Sequence, residues 1–254
     1  MKKAFILFYI FITSLMFSQN NENIIISYIE NYNIGSGFEW EYQLIVEGAN
    51  ALFIEQIKKD KPAEERTYNE DGSFSIRFNY TGGIPKFVYY NNKQKTIFFR
   101  KIVGGEMVLV KDKLETIDWL ITDETKTISS FLCNKAIGKF RGRTYQAWFT
   151  TAIPINYGSW KLQGLPGLVL EATDNDGFYH VAATTFQFND QKIMLHDELL
   201  KDVKWEKAIE FEKFLKLNKT SAEMSFKKLQ ASMPRGTKLE MSDEKVTELE
   251  LFDE

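Results

Sequence analysis

The feature that most constrains the fold is an alternation of apolar and polar residues with period two, which runs from about residue 24 to residue 188. β-Branched and aromatic residues dominate it, and turn-forming pairs such as Asp71-Gly72 and Gly104-Gly105 interrupt it every 8 to 12 positions. Strands so closely spaced are joined by hairpins, because a parallel sheet needs a crossover of about a dozen residues or more. The pattern predicts antiparallel strands at 38–48, 73–83, 86–92, 96–105, 106–112, 142–150 and 178–190.

After His196 the composition changes to Lys, Glu, Leu and Ala, which predicts a helical segment. We expect it to break near Asn218, because Thr220 and Glu223 have the spacing of a capping box that would start a new helix. A long sheet with one apolar face needs a cover. The predicted fold is therefore mainly β (α+β): a curved antiparallel sheet or half-barrel with a C-terminal helical segment packed against it.

The N-terminus has the pattern of a secretory signal peptide. Lys2 and Lys3 precede an apolar run from Ala4 to Phe17, followed by small or polar residues. That run is shorter than the roughly 20 residues needed to cross a bilayer. We predict a signal peptide at 1–19, one β-rich domain at 20–232 and a loose acidic tail at 233–254. The mature chain would have no transmembrane segment, and it would be exported to the periplasm, the cell envelope or the extracellular space.

Charge and cysteine content exclude several classes of protein. The chain has 32 Lys and Arg against 35 Asp and Glu, so it lacks the basic excess of nucleic-acid-binding proteins. Cys133 is the only cysteine, so no intramolecular disulfide can form. It lies in an apolar stretch, where we expect a buried thiol that packs like a hydrophobic side chain.

Residues with catalytic or ligating chemistry are scarce. The only histidines are His180, which falls among aromatic residues of a predicted strand, and His196, near the start of the helical segment. Structural roles explain both, and neither has the spacing of a metal site. No dinucleotide or phosphate-binding fingerprint occurs. The sequence cannot place a pair of glycosidase carboxylates among 35 acidic residues. We therefore predict no catalytic residues, no cofactor and no metal.

The segment 160–177, WKLQGLPGLVLEATDNDG, concentrates turn residues among leucines. A proline followed by a glycine at the centre of 165–168 predicts a type II turn between strands at 160–163 and 168–172. The resulting apolar hairpin tip is a candidate binding surface. Its residues are Trp148, Trp160, Gly164, Leu165, Pro166, Gly167 and Leu168.

The run from Gly164 to Val169 resembles the motif of the GLPGLI family, exported proteins mainly of Bacteroidota. Further similar elements are Trp119, ETKTI at 124–128, CNKA at 133–136, GRTYQAWFT at 142–150, Ile153-Pro154 and Gly158. Together they cover 118–176. Ser159 departs from the family, in which proline is frequent. The resemblance implies no established activity; its strand pattern also resembles half-barrel lipoprotein carriers, and so favours binding over catalysis.

Three hypotheses follow. The leading one is an envelope-associated, non-catalytic binding or carrier protein for an apolar ligand, with a lipid, a hydrophobic peptide or an outer-membrane protein as partner. The first alternative is an exported hydrolase or peptidase-associated enzyme that uses carboxylates, or Cys133 with His180. The second is an assembly component that acts by strand addition at an open sheet edge.

Overall fold

The computed structural model describes residues 23–33, 38–57, 64–68, 74–78, 84–189 and 195–232, together with Glu250. The predicted signal peptide at 1–19 lies outside these residues, as does the predicted tail at 233–254 apart from Glu250. No helix within the described ranges is long and apolar enough to cross a membrane.

The described residues form one twelve-stranded sheet, a separate two-stranded hairpin and few helices. The strands are β1 (Asn23–Tyr32), β2 (Phe38–Glu47), β3 (Asn50–Glu55), β4 (Glu64–Tyr68), β5 (Phe74–Phe78), β6 (Phe87–Asn91), β7 (Thr96–Val103), β8 (Glu106–Lys113), β9 (Trp119–Ile128), β10 (Phe131–Phe140), β11 (Arg143–Thr150), β12 (Leu168–Asp174), β13 (Tyr179–Asn189) and β14 (Ile209–Glu210). The helices are α1 (Leu195–Leu199), a 3-10 turn at Trp205–Lys207 and α2 (Phe211–Ser232).

The large sheet has the order β14-β8-β7-β6-β3-β2-β1-β13-β12-β11-β10-β9, and β4 pairs with β5. Its neighbouring strands are antiparallel, except that β14 runs parallel to β8. The first strand lies in the middle, where β1 pairs with β2 on one side and with the much later β13 on the other. The mainly β prediction, with an antiparallel sheet and a C-terminal helix, is confirmed.

Two local predictions are wrong. Residues 160–163 form no strand; they belong to a turn-rich connection between β11 and β12. The expected helix break near Asn218 is also wrong, because α2 continues through it. Thr220 is not an N-cap: its hydroxyl donates to the carbonyl of Lys216, 2.9 Å away and one turn earlier, so it satisfies a group inside the helix.

The sheet has two covered faces, because successive side chains of a strand point to opposite sides. On β3, Phe53 packs into the larger core cluster, whereas Leu52 and Ile54 pack into a smaller one. We call the first side the Glu30 face, which α2 covers through Phe214. We call the other the His196 face, where Leu200, just after α1, joins the smaller core. Each face also carries a cavity.

Candidate functional site

A cleft of about 380 Å³ opens on the Glu30 face. Strands β1, β2, β3, β6 and β7 form its floor, and the connection between β11 and β12 forms one wall. Its lining combines aromatic, cationic and acidic side chains. Those that matter below are Glu30, Tyr32, Trp40, Lys86, Trp160, Lys161 and Glu250.

The Glu30 carboxyl group lies at the bottom of this cleft and is 1% exposed. The Tyr179 hydroxyl donates to its Oε1 over 2.6 Å, and the Tyr32 hydroxyl donates to its Oε2 over 3.0 Å. Ser159 Oγ lies 3.2 Å from the Tyr179 hydroxyl oxygen. Since a hydroxyl has a single proton, Ser159 donates to Tyr179 while Tyr179 donates to Glu30. Both carboxyl oxygens are thus fixed in position.

Burial raises the pKa of Glu30 to about 7, because the ionised form loses its hydration. The two tyrosine hydrogen bonds and the charge of Lys86 lower this pKa, and the nearby charge of Glu55 raises it. Desolvation is the largest of these effects. Near neutral pH, Glu30 therefore changes between a proton donor and a carboxylate.

Lys86 forms the cationic side of the cleft. Its ammonium group lies 4.0 Å from the centre of the Trp40 ring and 3.9 Å from Glu55 Oε1. The Lys86 backbone N–H donates to the other Glu55 oxygen over 3.0 Å, which ties the start of β6 to the end of β3. The result is a cation placed against an aromatic ring beside the buried acid.

Trp160 and Lys161 form the wall opposite. Trp160 has a left-handed backbone conformation with φ of 48°, which is unfavourable for a bulky residue. The Tyr90 hydroxyl donates to its carbonyl and helps to hold that conformation. Lys161 is 1% exposed; its ammonium group lies 2.9 Å from Asp112 Oδ2 and 2.6 Å from Glu250 Oε1. The buried Lys161 thereby holds a second carboxylate, Glu250, at the cleft.

The predicted turn at 165–168 has a different geometry from the one expected. A type II turn needs a positive φ at Gly167, but the residue with positive φ is Gly164, at 96°. A Cβ on Gly167 would lie 2.1 Å from the carbonyl oxygen of Thr150. Glycine is required at 167 because two backbone segments touch there, so the type II assignment is wrong.

The seven residues predicted to bind do not come together around one cavity. Trp160 lines the cleft, whereas Leu165 and Leu168 are 1% and 0% exposed and belong to the core of the Glu30 face. Gly164, Pro166 and Gly167 lie in the same connection, beside those leucines. Trp148 is on β11, where the Lys126 ammonium group lies 4.4 Å from its ring centre. A binding role for these residues stays a prediction.

Cys133 and His180 do not form a catalytic pair. Cys133 is fully buried on β10, where desolvation raises the pKa of its thiol, and His180 is exposed on β13. Two strands separate β10 from β13, which places them roughly 14 Å apart. His196 is buried, and its Nε2 lies 3.1 Å from the Ile45 carbonyl.

No group of three His, Cys, Asp or Glu side chains within the described part of the chain is arranged to hold a metal ion. Asp174 forms a buried ion pair of 2.6 Å with Arg143.

Sequence reasoning missed Glu30, although a signal was present. In the sequence of β1, Ile26, Tyr28 and Glu30 are two residues apart, so all three share a face. An acid in phase with buried apolar residues predicts a buried carboxyl group. Its partner Tyr179 lies 149 residues away in the chain, so only the pairing of β1 with β13 reveals the site.

Comparisons with known proteins find a family model and similar solved structures. A family model described as the N-glycanase peptide, N-terminal domain, matches residues 84–209. Two solved structures of PNGF-II are similar to this chain. One has a TM-score of 0.51 and 19% identity, and the match covers 81% of this chain and 33% of that one. The other has a TM-score of 0.53 and 18% identity, and the match covers 79% and 34%. A comparison with curated protein sequences finds no match.

This chain therefore spans about a third of the length of the solved PNGF-II chains. The family match contains Lys86, Trp160 and Tyr179 of the cleft, but it begins after Glu30. At these identities the structural likeness shows the fold, and it shows that the β-rich part of the chain has the architecture found in PNGF-II.

Two interpretations made from the sequence are wrong. The resemblance to the GLPGLI family is overturned, because the matching family model is that of the N-glycanase N-terminal domain. The leading hypothesis of a non-catalytic carrier for an apolar ligand is overturned by the same matches, which favour the hydrolase alternative. The cleft agrees with this correction, because it contains a buried acid and two lysines rather than a purely apolar lining.

Proposed function

We propose that this chain is an exported hydrolase that acts on glycans carried by polypeptides, with the cleft of the Glu30 face as its active site. The observation that carries the proposal is the buried Glu30 carboxyl group, whose pKa of about 7 suits a proton donor at neutral pH. The family match to an N-glycanase domain supports the substrate class.

Glu30 is the general acid in this proposal. Cleavage of the bond between the anomeric carbon and its leaving atom needs a proton on that atom. The protonated Glu30 supplies it, and the hydroxyls of Tyr32 and Tyr179, 3.0 and 2.6 Å away, stabilise the carboxylate that remains. The Ser159 hydroxyl in turn holds Tyr179 in position.

Glu250 is the second carboxylate of the cleft, and we assign it the activation of water. It accepts a proton from the water molecule whose oxygen bonds to the anomeric carbon. Its ion pair with Lys161, at 2.6 Å, fixes the position of this carboxylate at the cleft. The proton donor and the proton acceptor thus line the same cavity.

The aromatic residues of the cleft suit a sugar ring. The carbon-bound hydrogens of one ring face can pack on Trp40 or Trp160, while the hydroxyls reach Lys86 and Glu30. The left-handed backbone of Trp160 indicates that its position is fixed by the surrounding structure. Export is part of the proposal and rests on the predicted signal peptide at 1–19.

The test is release of glycan from a fluorescently labelled N-glycopeptide, followed by mass spectrometry of both products. We expect turnover by the wild-type chain and a loss of about a hundredfold or more in kcat for Glu30→Gln. Glu39→Gln is the matched control, because Glu39 is an exposed glutamate on the neighbouring strand β2. Absence of turnover by a folded wild-type chain, or equal rates for the Glu30→Gln and Glu39→Gln variants, would contradict the proposal.

A further inference from the structure

A second cavity, of about 540 Å³, opens on the His196 face, on the opposite side of the sheet from the cleft. It lies between the β6–β7 hairpin and the segment from α1 to the 3-10 turn. Its volume is in the range of small-molecule sites and leaves room for more than one sugar ring. None of its lining residues lines the Glu30 cleft.

Aromatic side chains form one wall of this cavity. The Trp205 ring centre lies 5.1 Å from that of Phe98 and 5.6 Å from that of Tyr89. Both neighbours contact Trp205 at steep angles, with ring planes inclined by 78° and 50°. Trp205 is nevertheless 36% exposed, which is high for a tryptophan in an aromatic cluster. An indole ring that is fixed by its neighbours and still partly exposed provides a surface on which a sugar ring can pack.

Hydrogen-bonding groups surround this wall. Asn91 and Gln94 belong to the hairpin between β6 and β7, and the Gln94 backbone N–H donates to Asn91 Oδ1 over 3.1 Å. That bond fixes the turn and leaves the Asn91 amide nitrogen as a donor. The cavity also contains one acid, Asp197, and one base, Lys201. Their charges cancel, which suits a neutral polar ligand better than an anion.

We propose that this cavity is a second saccharide-binding site, for a neutral sugar ring that packs on Trp205 and hydrogen-bonds to Asn91 and Gln94. Binding is the role that we assign to it, because both ring nitrogens of His196 lie close to oxygen atoms of the protein. Its Nε2 lies 3.1 Å from the Ile45 carbonyl, and its Nδ1 lies 3.3 Å from Glu47 Oε2. Since this site shares no lining residue with the Glu30 cleft, the proposed sugar binding can be tested independently of the proposed hydrolysis.

The experiment uses the full chain labelled with 5-fluorotryptophan and titrated with N,N′-diacetylchitobiose or cellobiose. The label marks all five tryptophans, and the ¹⁹F NMR signal that is absent from Trp205→Phe is assigned to Trp205. We expect a saturable shift of the Trp205 signal with at least one of the two sugars, with Trp148 unchanged. The same shift should persist in Glu30→Gln, which separates this site from the cleft.

A second variant tests the polar contact without risk to the fold. Gln94 is exposed in a hairpin, so Gln94→Ala should fold normally and raise the Kd measured at Trp205 about threefold to tenfold. Lys93→Ala, at an exposed position of the same hairpin that does not line the cavity, should leave Kd unchanged. A Trp205 signal that moves with neither sugar, or an equal Kd for Gln94→Ala and the wild type, would overturn the proposal.

Discussion

Each face of the sheet has a buried titratable side chain beside an aromatic cavity, Glu30 on one face and His196 on the other, and the two side chains have different surroundings. Burial raises the pKa of Glu30 and lowers that of His196, so desolvation favours the neutral form of both. Glu30 is held by hydroxyl groups that also stabilise its charged form. His196 is held between a backbone carbonyl and Glu47. Burial sets the charge state, whereas the hydrogen-bond partners decide whether the group can exchange a proton with a ligand.

The cores differ as well. The Glu30 face has a large cluster that continues across both halves of the sheet and under α2. The smaller cluster of the His196 face has six buried members: Ile45, Leu52, Ile54, Phe87, Leu200 and Val203. The molecule thus has a large hydrophobic core on the Glu30 face, which bears the proposed active site, and a small hydrophobic core on the His196 face.

The largest expected effect comes from a matched pair of core substitutions. Leu44 and Leu52 are both 0% exposed and lie on opposite faces. We expect Leu44→Ala and Leu52→Ala each to lower the free energy of unfolding by about 2 to 5 kcal/mol, with Leu44→Ala at the upper end. We expect the smaller loss for Leu52→Ala because the small core of the His196 face borders the short helix α1, which can shift and fill part of the cavity. Urea unfolding measures both, and a larger loss for Leu52→Ala would contradict this difference.

The next effect concerns the pH dependence of stability. Because the folded pKa of Glu30 is about 7 against an ordinary value of 4.5, its contribution is fully present below pH 4.5 and is lost as pH rises to 7. The shift corresponds to about 3 kcal/mol. We expect Glu30→Gln to remove a fall of that size from the curve of unfolding free energy between pH 4.5 and 7. Glu39→Gln should keep the wild-type slope, and an unchanged slope in Glu30→Gln would refute the assignment.

His196 should act in the opposite direction and more weakly. Its pKa is lowered, so its contribution is present above the ordinary value of 6.5 and is lost as pH falls below it. The Ile45 hydrogen bond and Glu47 partly offset the effect of burial, which limits its size. We expect His196→Gln to reduce the loss of stability below pH 6.5. Thermal unfolding measured over a series of pH values tests this expectation. The control is His180→Gln, at an exposed position, which should behave as the wild type.

The smallest effect tests the cationic side of the cleft. The charge of Lys86 lowers the pKa of Glu30, so Lys86→Met should raise it. The high-pH limb of the glycan-release profile should then move to higher pH, by about half a unit. Lys93→Met, an exposed lysine in the β6–β7 hairpin, should leave the profile in place. A movement to lower pH would show that Lys86 does not act on Glu30 in this way.

The fold was more predictable than the site because strands and hairpins follow from patterns of neighbouring residues in the sequence. Period-two alternation identified β2, β6 and β11, and the change in composition after His196 identified the region of α2. The continuity of α2 through Asn218 was not predictable, since Thr220 can either cap a helix or bond back to the preceding turn. The same local view predicted a strand at 160–163, where the chain instead positions Trp160 and Lys161.

The site was unpredictable because its parts are far apart in the chain. Glu30 meets Tyr179 only when β1 and β13 pair, and Glu250 meets Lys161 across 89 residues. Neither contact follows from a spacing or a motif. Gly167 is a smaller example. Glycine is needed there because the Thr150 backbone lies too close for a Cβ, and the local turn sequence does not reveal that contact. The local sequence did contain one signal for the site: Glu30 lies on the same face of β1 as the apolar residues Ile26 and Tyr28.

The most direct test of Glu30 as the proton donor is the titration of its carboxyl group. Carboxyl ¹³C chemical shifts of the protein labelled at its glutamate side chains can be followed by NMR from pH 3 to 9, with Glu30→Gln identifying the resonance. We expect this carboxyl group to titrate near pH 7, well above the ordinary glutamate value of 4.5. Titration near the ordinary value of 4.5 would show that Glu30 is ionised at neutral pH, and it would remove the proton donor on which the proposed hydrolysis depends.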